Sequence, residues 1–191
     1  MSILLLAIDI DGTLLGSRGQ LLSENRVAIH DALKAGIEVV LVTGRCYHHA
    51  KPVASVLSKT LVIITNNGAL VKTVGGQTLR KILLDRKLAR EIILSTRQIR
   101  GGAALIFDRV QPPQYLFENV DWNHPNRKRY YDRNRRYMEE VSPLEDALIE
   151  DPLQLAFSGT VFEMRRLAEF LSELEVSEQI SITRTEYEYR N

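Results

Sequence analysis

The chain has 191 residues, of which 45% are hydrophobic and 26% charged, with a net charge of +1 at pH 7. That balance is ordinary for a globular protein and excludes a global field that would draw in nucleic acid or an anionic membrane. Cys46 is the single cysteine, so an intrachain disulfide and a cysteine metal cluster are both excluded. No apolar stretch reaches the ~18–20 residues that span a bilayer, and the N-terminal apolar run lacks a basic flank and stops at Asp9, against a signal peptide. These features point to a cytoplasmic protein of one or two small domains.

The first third alternates strand and helix patterns. Residues 3–8 read as a buried strand that delivers Asp9-Ile10-Asp11 into a Gly12-Thr13 turn. Ser23 is the expected N-cap of a helix that turns Val27, Ala28, Ala32 and Leu33 inward and stops at Gly36. Residues 37–42 form a second strand ending at Thr43-Gly44-Arg45. A helix follows over about 47–58, with Pro52 expected in its first turn. Residues 61–64 form a third strand ending at Thr65-Asn66-Asn67-Gly68. Alternating elements with nearly continuous apolar strands predict a parallel sheet with both faces covered. Three polar loops then converge on one sheet edge, where ligands bind in such folds.

Beyond residue 68 the pattern changes. Residues 69–74 and 78–83 flank Gly75-Gly76, a two-residue hairpin turn. Asp85 caps a helix to about Ile99, with Leu88, Ile92, Thr96 and Ile99 as its inner stripe. Strands are expected at 104–107, 115–117 and 153–157, and a helix at 160–174 carries Phe162, Leu167, Phe170, Leu171 and Leu174. Residues 180–183 and 185–189 close the chain as strand. The organisation is therefore an α/β Rossmann-like core over 1–83 and an α+β unit over 84–191.

Asp-x-Asp puts two carboxylates on one side of an extended chain, with no lysine or arginine inside the segment to neutralise them. Such a pair suits phosphoryl transfer. Asp9 can take the phosphoryl group as nucleophile, while Asp11 protonates the leaving oxygen and then activates water. Two anions facing an anionic phosphate need a cation between them, and hard oxygen ligands favour Mg²⁺. Gly12 allows close backbone approach, and the N–H groups of the Gly12-Thr13 turn can hold phosphate oxygens. Thr43-Gly44-Arg45 supplies a hydroxyl and backbone donors at a helix N-terminus.

The combination of Asp9-Ile10-Asp11-Gly12-Thr13-Leu14-Leu15, Thr43-Gly44-Arg45 and Asn67-Gly68-Ala69 resembles the haloacid dehalogenase superfamily, in its Cof-type phosphatase branch. The α+β remainder resembles the cap that this branch inserts after the third strand. The resemblance implies a Mg²⁺-dependent phosphatase of small phosphorylated metabolites, sugar-phosphate-like, working through an aspartyl-phosphate. By it, Asp9 is the nucleophile, Asp11 the acid/base, and Thr43 binds the transferring phosphate. Arg45 and Asn67 line the site, and Asp9 with the backbone carbonyl of Asp11 ligates the metal.

The resemblance also implies a lysine after the cap and a Gly-Asp-x-x-Asn-Asp-type loop, and neither occurs in the sequence. Asp151 and Lys128 sit in no matching motif. The expectation is a truncated or complemented site of weak or no activity, with strand 3–8 left as an apolar edge open to self-association. Rival readings are a catalytically dead binding or regulatory domain, and a phosphosugar mutase that returns the phosphoryl group to its substrate. The basic run from Arg127 to Tyr137 offers arginines and tyrosines that would suit nucleic acid. The near-neutral chain favours instead a solvated helix with inward tyrosines. His48 and His49 beside Cys46 diverge on a helix and do not suit Mg²⁺.

Overall fold

A computed structural model describes residues 3–16 and 19–184, and the strand expected at 185–189 lies outside them. The chain divides into two compact units, 1–82 and 83–191.

In the first unit, β1 (Leu5–Asp9), β2 (Glu38–Val42) and β3 (Val62–Thr65) are parallel neighbours. Helix α1 (Ser23–Lys34) connects β1 to β2, and α2 (Tyr47–Leu57) connects β2 to β3. The hairpin of β4 (Leu70–Thr73) and β5 (Thr78–Lys81) extends the sheet antiparallel, in the order β1-β2-β3-β4-β5. Alternation sorts the strands by face: Val39, Leu41 and Ile63 are buried, while Val40, Val42, Val62 and Ile64 are only half-buried. The core adds Ile10, Leu14, Ala50, Ala54 and Leu70, all at most 1% exposed. Burying each leucine or isoleucine of this set contributes roughly 1.5–3 kcal/mol.

Several local expectations are corrected. Residues 3–8 are not a buried strand: among the described residues β1 is an edge paired only with β2, and Ile3, Leu4, Leu5 and Ala7 are exposed. Ser23 begins α1 rather than capping it, and the N-cap position is Leu22, with no side-chain bond. The inner stripe of α1 runs through Asn25, Ile29, Ala32 and Leu33, which the helical period places together. Val27 and Ala28 fall off that stripe and are exposed. Pro52 lies well inside α2, where it costs one intrahelical hydrogen bond. The β4–β5 loop takes in residues 74–77 instead of two residues, closed by the Gln77 carbonyl accepting from the Thr73 N–H at 2.9 Å.

The second unit contains α3 (Arg86–Thr96), β6 (Gly102–Ile106), β7 (Tyr115–Glu118), α4 (Pro125–Asn134), β8 (Met138–Glu140), β9 (Gln154–Ser158) and α5 (Val161–Glu173). Its sheet runs β8-β7-β6-β9, antiparallel except for β7 with β8. Asp85 caps α3 as its sequence implies, its carboxylate accepting from the Lys87 and Leu88 N–H groups that the helix itself leaves unpaired. Ala89 and Ile93 of α3 pack on Ala103, Leu105 and Leu116, and Ile92 packs with Leu167 and Leu171 of α5. Thr160 and Glu163 form a capping box at α5. Phe162, expected among the core residues of that helix, is 69% exposed because it lies in the first turn, away from the Leu167–Leu171 stripe. Residues 180–183 form no strand.

Odd positions of β7 carry an aromatic cluster. Phe117 meets Trp122 edge-on at 5.2 Å, and Tyr131 of α4 stacks on Trp122 at 5.2 Å. The even position Glu118 instead enters a buried ion pair with Arg100. Burial alone would raise the Glu118 carboxyl. Hydrogen bonds from Arg100 and Ser142, with the charges of Arg100 and Arg97, hold it below the ordinary carboxylate range.

Candidate active site

Each predicted site residue sits at or just beyond the C-terminal end of β1, β2 or β3, and the parallel pairing puts these ends on one edge. After β1 the chain turns tightly, with the Leu14 N–H donating to the Asp9 carbonyl at 3.1 Å and the Leu15 N–H to Ile10 at 2.9 Å. Gly12 has φ 78, a conformation that L side chains rarely adopt. Ile10 and Leu14 are buried and anchor the loop, so Asp9 and Asp11 emerge together on its exposed side. Gly12 and Thr13 are exposed beside them.

The Thr43-Gly44-Arg45 loop is held at both ends. Thr43 is buried and its N–H donates to the Ile64 carbonyl at 2.9 Å, while its Oγ1 accepts from the Arg45 N–H at 3.1 Å. The Asn66 N–H donates to the Arg45 carbonyl at 2.9 Å, tying the second loop to the third. Asn66 and Asn67 both have positive φ, 53 and 52, in the left-handed region that asparagine tolerates better than most residues. A Cβ on Gly44 would stand 2.7 Å from Asn67 Oδ1, the end of an exposed side chain, so any larger residue there would push the Asn67 amide out of its place.

The decisive contact joins the first loop to the second. Arg45 donates from Nε to Asp11 Oδ2 at 2.8 Å and from Nη2 to Oδ1 at 2.6 Å, a two-pronged pair with the Asp11 side chain 59% exposed. The sequence reading left both aspartates uncompensated; the fold supplies the compensating cation from 34 residues away. Asp11, Arg45, Gly44 and Asn67 are thus linked in a continuous series, and Asp9 stands at the same edge.

Two residues outside the predicted set support this edge. Asn25 of α1 donates from Nδ2 to the Leu14 carbonyl at 2.9 Å, fastening the aspartate loop to the helix behind it. Asn66, read in the sequence only as part of a turn, is 1% exposed and carries the loop-to-loop bond through its N–H. A polar residue at a core-facing helical position, as Asn25 is, was the available signal for the first. Cys46 precedes α2 with its Sγ 3.1 Å from His49 Nδ1. Burial pushes its thiol up to about 11, so it is protonated and not a nucleophile at neutral pH.

The donor chemistry fits a hard divalent cation in part. The exposed Asp9 carboxylate and the Asp11 main-chain carbonyl are oxygen donors, the ligand type Mg²⁺ takes. Among the described residues no group of three or more His, Cys, Asp or Glu side chains converges as a metal cage. A Mg²⁺ ion held by few protein oxygens keeps several waters, its usual habit.

A Rossmann-like sheet with an acidic loop at its strand ends, closed by hydroxyl- and amide-bearing turns, defines the class of α/β protein. The sequence profile of haloacid dehalogenase-like hydrolases matches residues 6–189, and the chain belongs to that family. It is 37% identical over 89 residues to phosphatase YwpJ of Bacillus subtilis (strain 168), covering 47% of this chain and 31% of that protein. It is 36% identical over 87 residues to 5-amino-6-(5-phospho-D-ribitylamino)uracil phosphatase YwtE of the same organism, covering 46% and 30%. The matched stretches therefore span less than a third of those relatives. A haloacid dehalogenase-like hydrolase structure from Bacteroides thetaiotaomicron shares the fold, with TM-score 0.78 and 17% identity over 97% of this chain and 68% of that one.

Proposed function

We propose that the chain carries a phosphoric monoester hydrolase site for small phosphorylated metabolites of sugar-phosphate type. The observation that carries the reading is the emergence of Asp9 and Asp11 on one exposed side of a turn whose Ile10 and Leu14 are buried. The partial relatives support it: YwpJ is a phosphatase and YwtE a 5-amino-6-(5-phospho-D-ribitylamino)uracil phosphatase.

In this reading the Asp9 carboxylate attacks phosphorus, and the bond to the leaving oxygen breaks as Asp11, entering the step in its protonated form, delivers a proton to that oxygen; the carboxylate left behind is the form that Arg45 clasps. Asp11, now a carboxylate, takes a proton from water, which attacks phosphorus and releases inorganic phosphate with Asp9 restored. The Gly12 and Thr13 N–H groups and Thr43 receive phosphate oxygens. The Thr43 hydroxyl accepts from Arg45 through a lone pair and retains a proton to donate. Gly44, Arg45 and Asn67 complete the wall. Mg²⁺, held by Asp9 and the Asp11 carbonyl, would offset the charge between nucleophile and phosphate. With few protein oxygens on that ion, turnover by the 191-residue chain is slow.

The edge strand β1, with Leu4 73% exposed, is the surface through which copies of the chain would associate. No helix among the described residues is long and apolar enough to cross a membrane. A single protonated thiol at Cys46 suits the reducing cytoplasm.

Release of phosphate from para-nitrophenyl phosphate by the full chain, with and without Mg²⁺, tests the reading against Asp9→Asn. The expected result is a Mg²⁺-dependent rate that Asp9→Asn abolishes. Equal rates in both proteins would favour a binding or regulatory domain.

A further inference from the structure

The resemblance places Arg45 among the residues lining the phosphate site. Its geometry says something different. Both prongs of its guanidinium, Nε and Nη2, are spent on the two carboxylate oxygens of Asp11, at 2.8 and 2.6 Å. Its main chain is fixed on either side, by Thr43 Oγ1 at the N–H and by the Asn66 N–H at the carbonyl. The arm therefore reaches from a rigid base to a carboxylate on another loop. Asp11 itself rides on a turn pinned by the Asp9–Leu14 and Ile10–Leu15 bonds and by Asn25.

A fork-to-fork pair of this kind fixes the plane and rotation of the carboxylate as well as its charge. Asp11 is more than half exposed and would otherwise sample several rotamers. An anionic substrate approaching this edge would also meet two like charges, Asp9 and Asp11, which oppose its entry. With Arg45 in place only Asp9 presents an uncompensated charge.

We propose that Arg45 is a positioning residue that acts through Asp11, holding its carboxylate in one orientation and masking its charge from an incoming phosphate, and is not itself the phosphate ligand. The proposal rests on the phosphatase reading for its purpose, but the clasp can be tested without turnover. The first measurement is the Arg45 Nε–H resonance in ¹⁵N NMR of the full chain. A bidentate partner slows solvent exchange of that proton and hinders guanidinium rotation. The slow-exchange signal is expected in the wild-type chain and lost in Asp11→Asn. A signal indifferent to Asp11→Asn would overturn the clasp.

The second measurement is the affinity for inorganic phosphate in the presence of Mg²⁺ across wild type, Arg45→Gln, Asp11→Asn and the double variant. Arg45→Gln unmasks Asp11 and is expected to weaken binding roughly tenfold, the effect of one charge at a partly exposed site. The double variant, which loses both charges of the pair, is expected to bind within about twofold of wild type, because the intact pair presents no net charge either. A double variant as weak as Arg45→Gln would make Arg45 a direct anion ligand and overturn the proposal, as would no loss in Arg45→Gln. If none of the four proteins binds phosphate while the Nε–H signal depends on Asp11, the phosphatase reading fails and the clasp stands.

Discussion

Arg100→Leu is expected to destabilise the second unit severely. The side chains of Arg100 and Glu118 are 2% and 3% exposed and pair directly. Without Arg100 the Glu118 carboxylate keeps only the Ser142 hydroxyl at 3.0 Å and the Arg97 guanidinium at 3.9 Å, and Arg97 is 40% exposed. Breaking a buried pair by removing one partner costs ~3–5 kcal/mol. Arg97 offsets part of that cost, so we expect about 3 kcal/mol. In a domain of this size each kcal/mol lowers Tm by ~4–8 °C, which gives a fall of roughly 12–24 °C. Trp122 is the single tryptophan of the chain and lies in this unit, so its fluorescence on heating reports the transition. Arg100→Leu/Glu118→Leu removes both charges and is expected to recover most of the loss, since apolar replacements of buried pairs are often neutral. A single variant within about 1 kcal/mol of wild type, or a double variant no better than the single, would refute the reasoning.

Acid should act through the same carboxylate. Glu118 is held below its unfolded value of ~4.3, so the stability it confers is complete above that pH and is lost as pH falls through the lower folded value. The Trp122-reported Tm of the wild type should therefore drop more steeply below about pH 5 than that of Glu118→Gln, and parallel curves would contradict this. Gly44→Ala brings a methyl to 2.7 Å from Asn67 Oδ1, and the amide must swing aside; the expected result is a stability within about 0.5 kcal/mol of wild type with a loss of phosphatase rate of roughly tenfold or more, and an unchanged rate would show that the placement of Asn67 does not matter. Asn25→Ala leaves the Leu14 carbonyl without its side-chain donor and should cost about 1 kcal/mol in denaturant unfolding, with a null result placing no strain on that tie.

Local chemistry was legible wherever a residue's role depends on its near neighbours. Asp85 caps α3, Thr160 caps α5, and the three parallel strands end at Asp9 or immediately before Thr43 and Asn66. Tyr131 packs inward from the basic helix α4 onto Trp122, as its place among solvated arginines implied. What escaped the sequence was set by pairing across distance. The exposure of Leu5 and Ala7 follows from β1 standing at the sheet edge, which the apolar run alone does not reveal and the expected lack of neighbouring strands does. Val27 looked like a core residue by type, yet the period of α1 is set by Ile29 and Ala32. β8 was missed because Met138–Glu140 is short and charged and exists through pairing with β7. The Asp11–Arg45 clasp joins loops 34 residues apart, so one of the two carboxylates in a segment lacking any basic residue is paired nonetheless.

The claim on which the functional account rests is that Asp9 carries the phosphoryl group. The full chain, incubated with para-nitrophenyl phosphate and Mg²⁺ and quenched in acid, can be digested and its peptides weighed by mass spectrometry. The account predicts a phosphoryl increment on the peptide that contains Asp9, absent from Asp9→Asn and retained in Asp11→Asn, whose second step is slowed. Phosphate release by Asp9→Asn at the wild-type rate, or a label on another residue, would contradict it.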